Sequence, residues 1–408
     1  MEIKLSECVE FLDEKRIPLS ANERKTLAKI YPYYGAQGII DYIDDYLFDG
    51  EYILVAEDGN NLKTVNEPIA TWATGRFWVN NHAHILGAKE GFNLRYIYYL
   101  LNSMNLRGLI TGSAQPKLNQ QNLRRLVLRL PDKKEQDEIA SVLTSIDNKI
   151  DNNQAVLTML QSLLKYIYDY WFIQFEFPNK YGHPYKNSGG KMVWNAALKK
   201  EIPYNWQVVP LKECIQHITT GLNPRKNFVL GHGDIKYITV KNLTANGTIS
   251  WDSYDVIDEK ARKLIHNRSE VGAGDILFAS IEPLGRCYLV KENPQDWAIN
   301  ESIFSIRPDP NKITAEYLYM LFRSEAFVRQ AENSSTGSVF NGIRMNVLEK
   351  LPVLLPDVKT LETFSRIVAN TTDMAYCLEK EIEELIDLRN FLLPLLMKGQ
   401  LTFREKEA

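Results

Sequence analysis

The sequence contains itself twice, and this duplication constrains the fold more than any other feature. Leu130-Pro131-Asp132 recurs as Leu355-Pro356-Asp357, and further blocks recur in the same order at offsets of 206 to 225 residues. These blocks pair 5–9 with 211–215, 50–54 with 274–277, 79–81 with 298–300, 94–101 with 315–322 and 126–131 with 351–356. Ordered blocks with drifting offsets are typical of two homologous domains that differ by loop insertions.

Each half follows the same plan, in which a mixed segment precedes a long helical segment. The predicted fold is α+β: two similar mixed α/β domains separated by two long antiparallel helices that form an intramolecular coiled coil, with a pseudo-twofold internal repeat. The predicted limits are 1–131 for the first domain, 132–177 for the first helix, 178–200 for a linker, 201–356 for the second domain, 357–399 for the second helix and 400–408 for a C-terminal tail.

The helices are predicted from apolar residues that alternate at spacings of four and three, with Asn153 in one polar position. Such a stripe must be buried, and two stripes of matching register favour mutual packing. The alternative is that each helix packs as an ordinary core helix on its own domain. We call the following residues the seam: Ile139, Leu143, Ile146, Ile150, Asn153, Leu157, Leu160, Leu164, Phe364, Val368, Leu378, Ile382, Leu385 and Leu392.

Composition excludes several protein classes. Apolar residues make up 45% and charged residues 24% of the 408 residues, which rules out wholesale disorder. The four cysteines are far apart and form no C-x-x-C pair, so a reducing, cytoplasmic setting is expected. No segment approaches the roughly 18 apolar residues of a membrane-spanning helix, and the N-terminus has no apolar signal core.

Charge differs between the parts of the chain. The net charge is −3 overall, 0 for 1–130, −4 for 131–177, +4 for 178–355 and −3 for 356–408. A polyanion such as DNA would therefore lie against the mixed segments rather than along the helices.

Motifs that would indicate catalysis are absent or incomplete. There is no Pro-Pro dipeptide, so the Asn/Asp-Pro-Pro-aromatic motif of amino-methyltransferases is missing. The segment 337–344 has P-loop glycine spacing but ends in Ile343-Arg344 where Lys-Ser/Thr is required, which favours a surface loop. His82 and His84 lack an evident third metal ligand, and the pair of Asp275 and Glu282 lacks the Glu-x-Lys that a nuclease would show.

The two halves together resemble the DNA specificity subunit of type I restriction–modification systems, over essentially the whole chain. The resemblance is carried by 33–42, 112–119, 130–136, 184–192, 240–243 and 334–338. One departure is that Pro203-Tyr204-Asn205-Trp206 precedes the first strand of the second domain, and the first domain has no equivalent.

This resemblance implies two target-recognition domains, each reading one half of a bipartite DNA target, with the helices fixing the gap. It implies that the chain is not an enzyme and needs no cofactor of its own. The implied partners are double-stranded DNA, two methyltransferase (modification) subunits that use S-adenosylmethionine to methylate adenine, and restriction/translocase subunits that use ATP and Mg²⁺.

The candidate DNA-binding residues are polar side chains in loops, because Arg and Lys read guanine, and Asn and Gln read adenine. For each of them, the alternative is a solvated surface residue. They are Tyr34, Gln37, Arg76, Ser113, Gln115, Lys117 and Asn119 in the first domain, and Arg225, Lys226, Lys241, Asn242, Arg286, Ser335, Thr336 and Arg344 in the second.

Two other functions stay open from the residues alone. The chain could be a protein-interaction scaffold that reads no DNA, or a self-contained nuclease. Salt-sensitive binding of a duplex by the assembled complex separates the first from a DNA reader, since counterion release requires phosphate contacts. Metal-dependent cleavage by the purified chain would support the second.

Overall fold

The structure is a computed structural model, and it describes residues 2–59, 62, 68–111, 116–251, 253–334 and 342–401. The chain divides into two compact units, one formed by residues 1–152 with 382–408 and the other by residues 153–381. None of the helices in the described ranges is long and apolar enough to cross a membrane.

The first unit is built on a six-stranded sheet with the strand order β2-β7-β5-β6-β3-β4 and a separate pair β1-β8. Its strands are β1 Glu2–Lys4, β2 Val9–Phe11, β3 Tyr31–Gly35, β4 Gly38–Ile43, β5 Phe48–Ala56, β6 Ala70–Val79, β7 Ala83–Ala88 and β8 Val127–Arg129. Its short helices are α1 Leu5–Cys8, α2 Ala21–Lys25, α3 Leu94–Ser103 and α4 Gln120–Arg124. The long helix α5 spans Lys133–Tyr168, and its residues up to 152 belong to the first unit.

The second unit carries the remaining strands and helices. Its strands are β9 Met192–Asn195, β10 Lys200–Pro203, β11 Gln207–Pro210, β12 Ile215–Thr220, β13 Ile235–Ile238, β14 Asp255–Ile257, β15 Ile276–Ala279, β16 Cys287–Leu289, β17 Trp297–Ile299, β18 Ile303–Pro308 and β19 Pro352–Leu355. Its helices are α6 Glu259–Ser269, α7 Ala315–Arg323, α8 Glu325–Ser334 and α9 Met345–Leu348. The long helix α10 spans Val358–Met397, and its residues up to 381 belong to the second unit.

The strand pairings confirm the predicted duplication. The antiparallel order β2-β7-β5-β6 recurs as β12-β18-β15-β16, and the pair β1-β8 recurs as β11-β19. The parallel pairing of β3 with β6 recurs as the pairing of β13 with β17. The single long strand β6 thus corresponds to two strands, β16 and β17, in the second domain. The limits predicted for the domains and the linker stay predictions.

In each unit, segments of the two long helices pack side by side in antiparallel directions. In the first unit, Ile139 and Leu143 near the start of α5 share a core with Leu396 near the end of α10. In the second unit, Leu164 near the end of α5 shares a core with Phe364 near the start of α10. Every seam residue is buried or half-buried, as the apolar periodicity predicts.

The outer turns of each long helix also pack in the core of that helix's own domain, as the alternative interpretation predicts. Ile139 and Leu143 lie in one core with Ile97 of α3, and Phe364 lies in one core with Tyr317 of α7. The long helices therefore contribute both to the domains and to the helix pair.

Candidate nucleic-acid interface

In the first domain, three chain segments meet at the short connection between β6 and β7, which we call the sheet end. The backbone amide of Asn80 donates to the carbonyl of Tyr34 (3.0 Å), which ties the end of β6 to the end of β3. The amide of Glu57 donates to the carbonyl of His82 (2.9 Å), which brings the end of β5 to the same place. Gln37 is exposed here in the tight turn between β3 and β4, and the positive φ of +100° at Gly38 requires a glycine to complete that turn.

A charged cluster lies at this end of the sheet. The Glu57 carboxylate pairs with Arg16 Nη1 and with Lys117 Nζ, both at 3.1 Å. Burial raises the pKa of Glu57, but the hydrogen bonds from Lys117 and Arg16 outweigh it, so the pKa lies below its ordinary value. Lys117 also forms β-bridges with Asp58 and Thr111. The two residues on either side of segment 112–116 are therefore paired with each other at this edge.

The second domain builds the same arrangement from different side chains. The amide of Asn300 donates to the carbonyl of Ile238 (2.9 Å), and the amide of Ser280 donates to the carbonyl of Ser302 (2.9 Å). A bridge between Ile281 and Gly342 matches the bridge between Asp58 and Lys117. The two domains therefore present equivalent sheet ends, formed by the same backbone pairings.

An asparagine side chain accepts a backbone hydrogen bond at each of these equivalent ends. Oδ1 of Asn80 accepts from the amide of His82 (2.8 Å), and Oδ1 of Asn300 accepts from the amide of Ser302 (3.1 Å). Sequence reasoning found the repeated block but aligned it one residue out of register, with Asn81 against Asn300. The structure corrects this to Asn80 against Asn300. It also shows that these side chains close the turn, which a repeat search alone does not reveal.

The two ends differ in the loop that connects the equivalent strands β3-β4 and β13-β14. In the first domain the connection is the tight turn at Gln37, whereas in the second it is the segment 239–254. Asn242 organises this longer segment, because its Nδ2 donates to the carbonyls of Ser250 (3.0 Å) and Ser253 (2.9 Å). Arg286 Nη1 donates to the carbonyl of Leu243 (3.0 Å) and fixes the loop from the other side. Different loops on equivalent frames can present different base-reading groups.

The predicted DNA-binding residues differ in exposure. Tyr34 and Asn242 are buried, and Asn119 and Arg286 are half-buried. The exposed members are Gln37, Arg76, Lys117, Arg225, Lys226, Lys241 and Arg344. Ser113, Gln115, Ser335 and Thr336 lie outside the described residues.

Several of the candidates have structural roles within the protein. Asn119 caps α4 by accepting from the amide of Asn122 (2.8 Å), and Asn242 closes its own loop. Tyr34 packs edge-on against Phe77 in the domain core. Arg76 pairs with Asp49 at 3.0 Å and is stacked over Tyr46. As DNA contacts all of the candidates stay predictions. Gln37 and Lys241 are exposed in the two connections that differ between the domains.

The possible metal-binding or catalytic residues have protein partners. The Nδ1 atom of His82 lies 2.8 Å from Asp58, and the ring nitrogens of His84 lie 2.6 Å from Asp13 and 2.7 Å from the carbonyl of Leu118. In the described ranges, no three His, Cys, Asp or Glu side chains cluster as metal ligands would.

Asp275 belongs to the acidic pair that was considered as a nuclease site. It is fully buried, and both of its carboxylate oxygens accept hydrogen bonds from Arg307, at 2.6 and 2.8 Å. Its side chain also accepts from the amide of Gly272, which fits the turn that opens β15. Asp275 therefore has a structural role that needs no metal.

The family model for the type I restriction modification DNA specificity domain matches residues 1–162 and 203–386. The chain belongs to this family. The two matched stretches correspond to the two halves of the repeat, so the predicted resemblance is confirmed for each half.

Individual relatives agree with this assignment. The type I restriction enzyme MjaIX specificity subunit of Methanocaldococcus jannaschii is 25% identical over 326 residues, which is 78% of this chain and 71% of that protein. The EcoprrI specificity subunit of Escherichia coli is 32% identical over 125 residues, which is 31% of this chain and 30% of that protein. Thus a match above 30% identity spans only about a third of the relative's length.

A solved structure supports the fold. The crystal structure of a type I restriction–modification system S subunit from M. genitalium has a TM-score of 0.62 and 16% sequence identity, and the similarity covers 97% of this chain and 95% of that chain. Similarity at this identity indicates a shared fold and leaves the residues that read DNA to be argued from this chain.

Proposed function

We propose that this chain is the non-catalytic DNA sequence-recognition subunit of a type I restriction–modification complex, and that each recognition domain reads one half of a bipartite target. The observation that supports this most strongly is the duplicated sheet end, where Asn80 and Asn300 hold equivalent turns that carry unlike loops. Equivalent frames suit one ligand type, a DNA duplex, and unlike loops suit two different base sequences.

Catalysis would come from partner subunits. Two modification subunits would bind S-adenosylmethionine and methylate adenine, and restriction/translocase subunits would use ATP and Mg²⁺. The role of this chain would be to bring those subunits to the target. The protein partners for His84 and Asp275 agree with a role in which these residues maintain the fold.

Exposed apolar residues on the long helices support docking of two copies of one partner. Leu163 and Tyr166 are 48% and 75% exposed on α5, and Leu388 and Phe391 are 45% and 65% exposed on α10. The members of each pair are three residues apart and so lie on one helix face. The pairs are 225 residues apart in the sequence, which is the offset of the repeat at the helix starts. Each helix would therefore offer the same apolar surface to one modification subunit.

The decisive experiment is methylome sequencing of the host with and without this gene. A bipartite adenine-methylation motif that disappears on deletion and returns on complementation is expected. If all methylated motifs persist in the deletion strain while the modification subunits are still made, the chain does not specify the target. Salt-insensitive binding of a duplex by the purified complex would instead favour the protein scaffold.

A further inference from the structure

The segment between the two recognition domains folds as an ordered module, which we define as residues 178–206. The ring of Phe177, just before it, stacks on Tyr185 (centroids 4.5 Å apart) and on Trp206 (4.7 Å). The hairpin β9-β10 follows, and the amide of Tyr204 donates to the carbonyl of Lys191 (2.9 Å) at its open end. The loops of this module are therefore held on an aromatic core.

The module concentrates positive charge. Residues 178–206 contain five lysines and one acidic residue, Glu201, whereas residues 207–355 contain 17 basic and 17 acidic side chains. The whole positive excess of the second half of the chain before α10 therefore lies in this short segment.

Four of the five lysines are exposed: Lys180, Lys186, Lys191 and Lys199. The fifth, Lys200, is stacked over Phe175, and burial lowers its pKa. It therefore belongs to the core of the module.

None of these four lysines pairs with a carboxylate in the described parts of the chain. Two of them are held by rings instead: Lys180 lies 4.8 Å from the centroid of Tyr181, and Lys191 lies 3.9 Å from that of Tyr204. An aromatic ring orients an ammonium group without cancelling its charge, as a carboxylate would. The charge therefore stays available to an external anion.

We propose that the module binds the phosphate backbone of DNA without regard to base sequence. The proposal rests on the proposed DNA-reading function. An acidic protein surface is the competing occupant. Phosphate contacts are made largely by Lys and Arg, whereas lysine is depleted in protein–protein interfaces. Four exposed lysines that pair with no carboxylate among the described residues therefore favour DNA.

The test compares salt dependence in the assembled modification complex. One variant carries Lys180, Lys186, Lys191 and Lys199 changed to Gln. The matched control carries the same charge change at four exposed lysines of the same half, Lys212, Lys260, Lys350 and Lys359. The probe is a 40-base-pair (about four helical turns) duplex of mixed sequence, and its affinity is measured across a salt series.

Each lysine that contacts a phosphate contributes about 0.9 to the slope of log affinity against log salt concentration. The module variant is expected to lower the magnitude of this slope by up to about 3.6, with the control variant close to wild type and the methylated motif unchanged. Equal slopes in the module variant and the wild type would overturn the proposal, as would loss of subunit assembly with an unchanged DNA slope. If the wild-type complex binds no duplex at all, the proposed DNA-reading function fails, and this outcome is distinct from both.

Discussion

Lengthening the helix pair should lengthen the gap between the two halves of the DNA target. The insertion must be made in both helices at the same level, and the structure identifies that level. Nδ2 of Asn153 in α5 donates to Oε2 of Glu381 in α10 at 2.7 Å, so these two positions face each other. Four residues inserted after each of them keep the two helices matched.

The size of the effect follows from helix and DNA geometry. Four helical residues add about 6 Å at 1.5 Å per residue and about 40° of rotation beyond one full turn. A four-residue insertion unwinds a coiled coil locally while the apolar stripe continues, so the seam can still close. B-DNA rises about 3.4 Å per base pair, so the accepted spacer should grow by about two base pairs.

The assay is methylome sequencing of a host that carries only the lengthened gene. The same two half-sites separated by about two more base pairs are expected. A control insertion of four residues between Pro310 and Asn311, in an exposed turn before α7, should leave the spacer as it was. A lengthened variant that methylates targets with the original spacer would refute the idea that helix length measures the gap.

Three further predictions test the base-reading, electrostatic and docking arguments. Gln37→Ala should weaken binding to the cognate duplex by about 1–3 kcal/mol and leave binding to a non-cognate duplex unchanged, because Gln37 is exposed at the loop tip; equal losses on both duplexes would indicate a phosphate or structural role. Burial raises the pKa of Glu379 from 4.5 to about 7. Between these values the unfolded chain has lost a proton that the folded chain keeps, so stability falls as the pH rises. Glu379→Gln should therefore raise the melting temperature at pH 8 but not at pH 4, with exposed Glu362→Gln as the control; an equal change at both pH values would contradict this. Tyr166→Glu and Phe391→Glu should each remove one of two modification subunits in native mass spectrometry, and two retained copies in both variants would rule out these surfaces.

The duplication and the long helices could be predicted from the sequence because both leave a periodic signal. The repeated Leu-Pro-Asp is a helix start: Asp132 accepts from the amide of Glu135 (2.9 Å), and Asp357 accepts from the amide of Thr360 (3.1 Å). An Asp at this position satisfies an amide that the first helical turn leaves free. Local chemistry of this kind is visible in a few adjacent residues, and it recurs wherever the same motif recurs.

The candidate DNA-binding residues were harder to predict because polar loop residues serve several purposes. Asn242 has the residue type that reads adenine, yet its amide bonds to carbonyls eight and eleven residues later in the chain. Asn119 likewise has the right type and caps a short helix. A sequence pattern reports the residue type, whereas the role depends on which backbone groups the fold brings within hydrogen-bond distance.

The sequence did not predict that one strand of the first domain corresponds to two strands in the second. Strand β6 runs unbroken through the first domain, whereas its counterpart is divided into β16 and β17. The helix α6 lies against β17 and shares a core with Tyr237 of β13, in a part of the second domain that has no equivalent between β4 and β5. The larger insertion therefore changes one sheet and leaves the equivalent sheet end intact.

The polar residues of the helix pair explain how two similar apolar stripes meet in one alignment. Arg389 weakens the stripe of α10, and Asn153 interrupts that of α5. In the repeat, Arg389 corresponds to Leu164 and Asn153 to Leu378, so neither polar residue is duplicated. Each instead finds a polar partner on the opposite helix. Arg389 binds Asp147 (3.1 Å), just as Asn153 binds Glu381.

Shifting one helix by a heptad would keep apolar residues facing apolar residues, but it would separate these polar groups from their present partners. Leaving a buried polar group unpaired costs about 1–3 kcal/mol, which is more than a paired one adds to stability. The polar pairs therefore act mainly against misaligned packing. For the proposed spacer this property would matter more than additional stability, since a one-heptad slip would displace one helix along the other by about 10 Å.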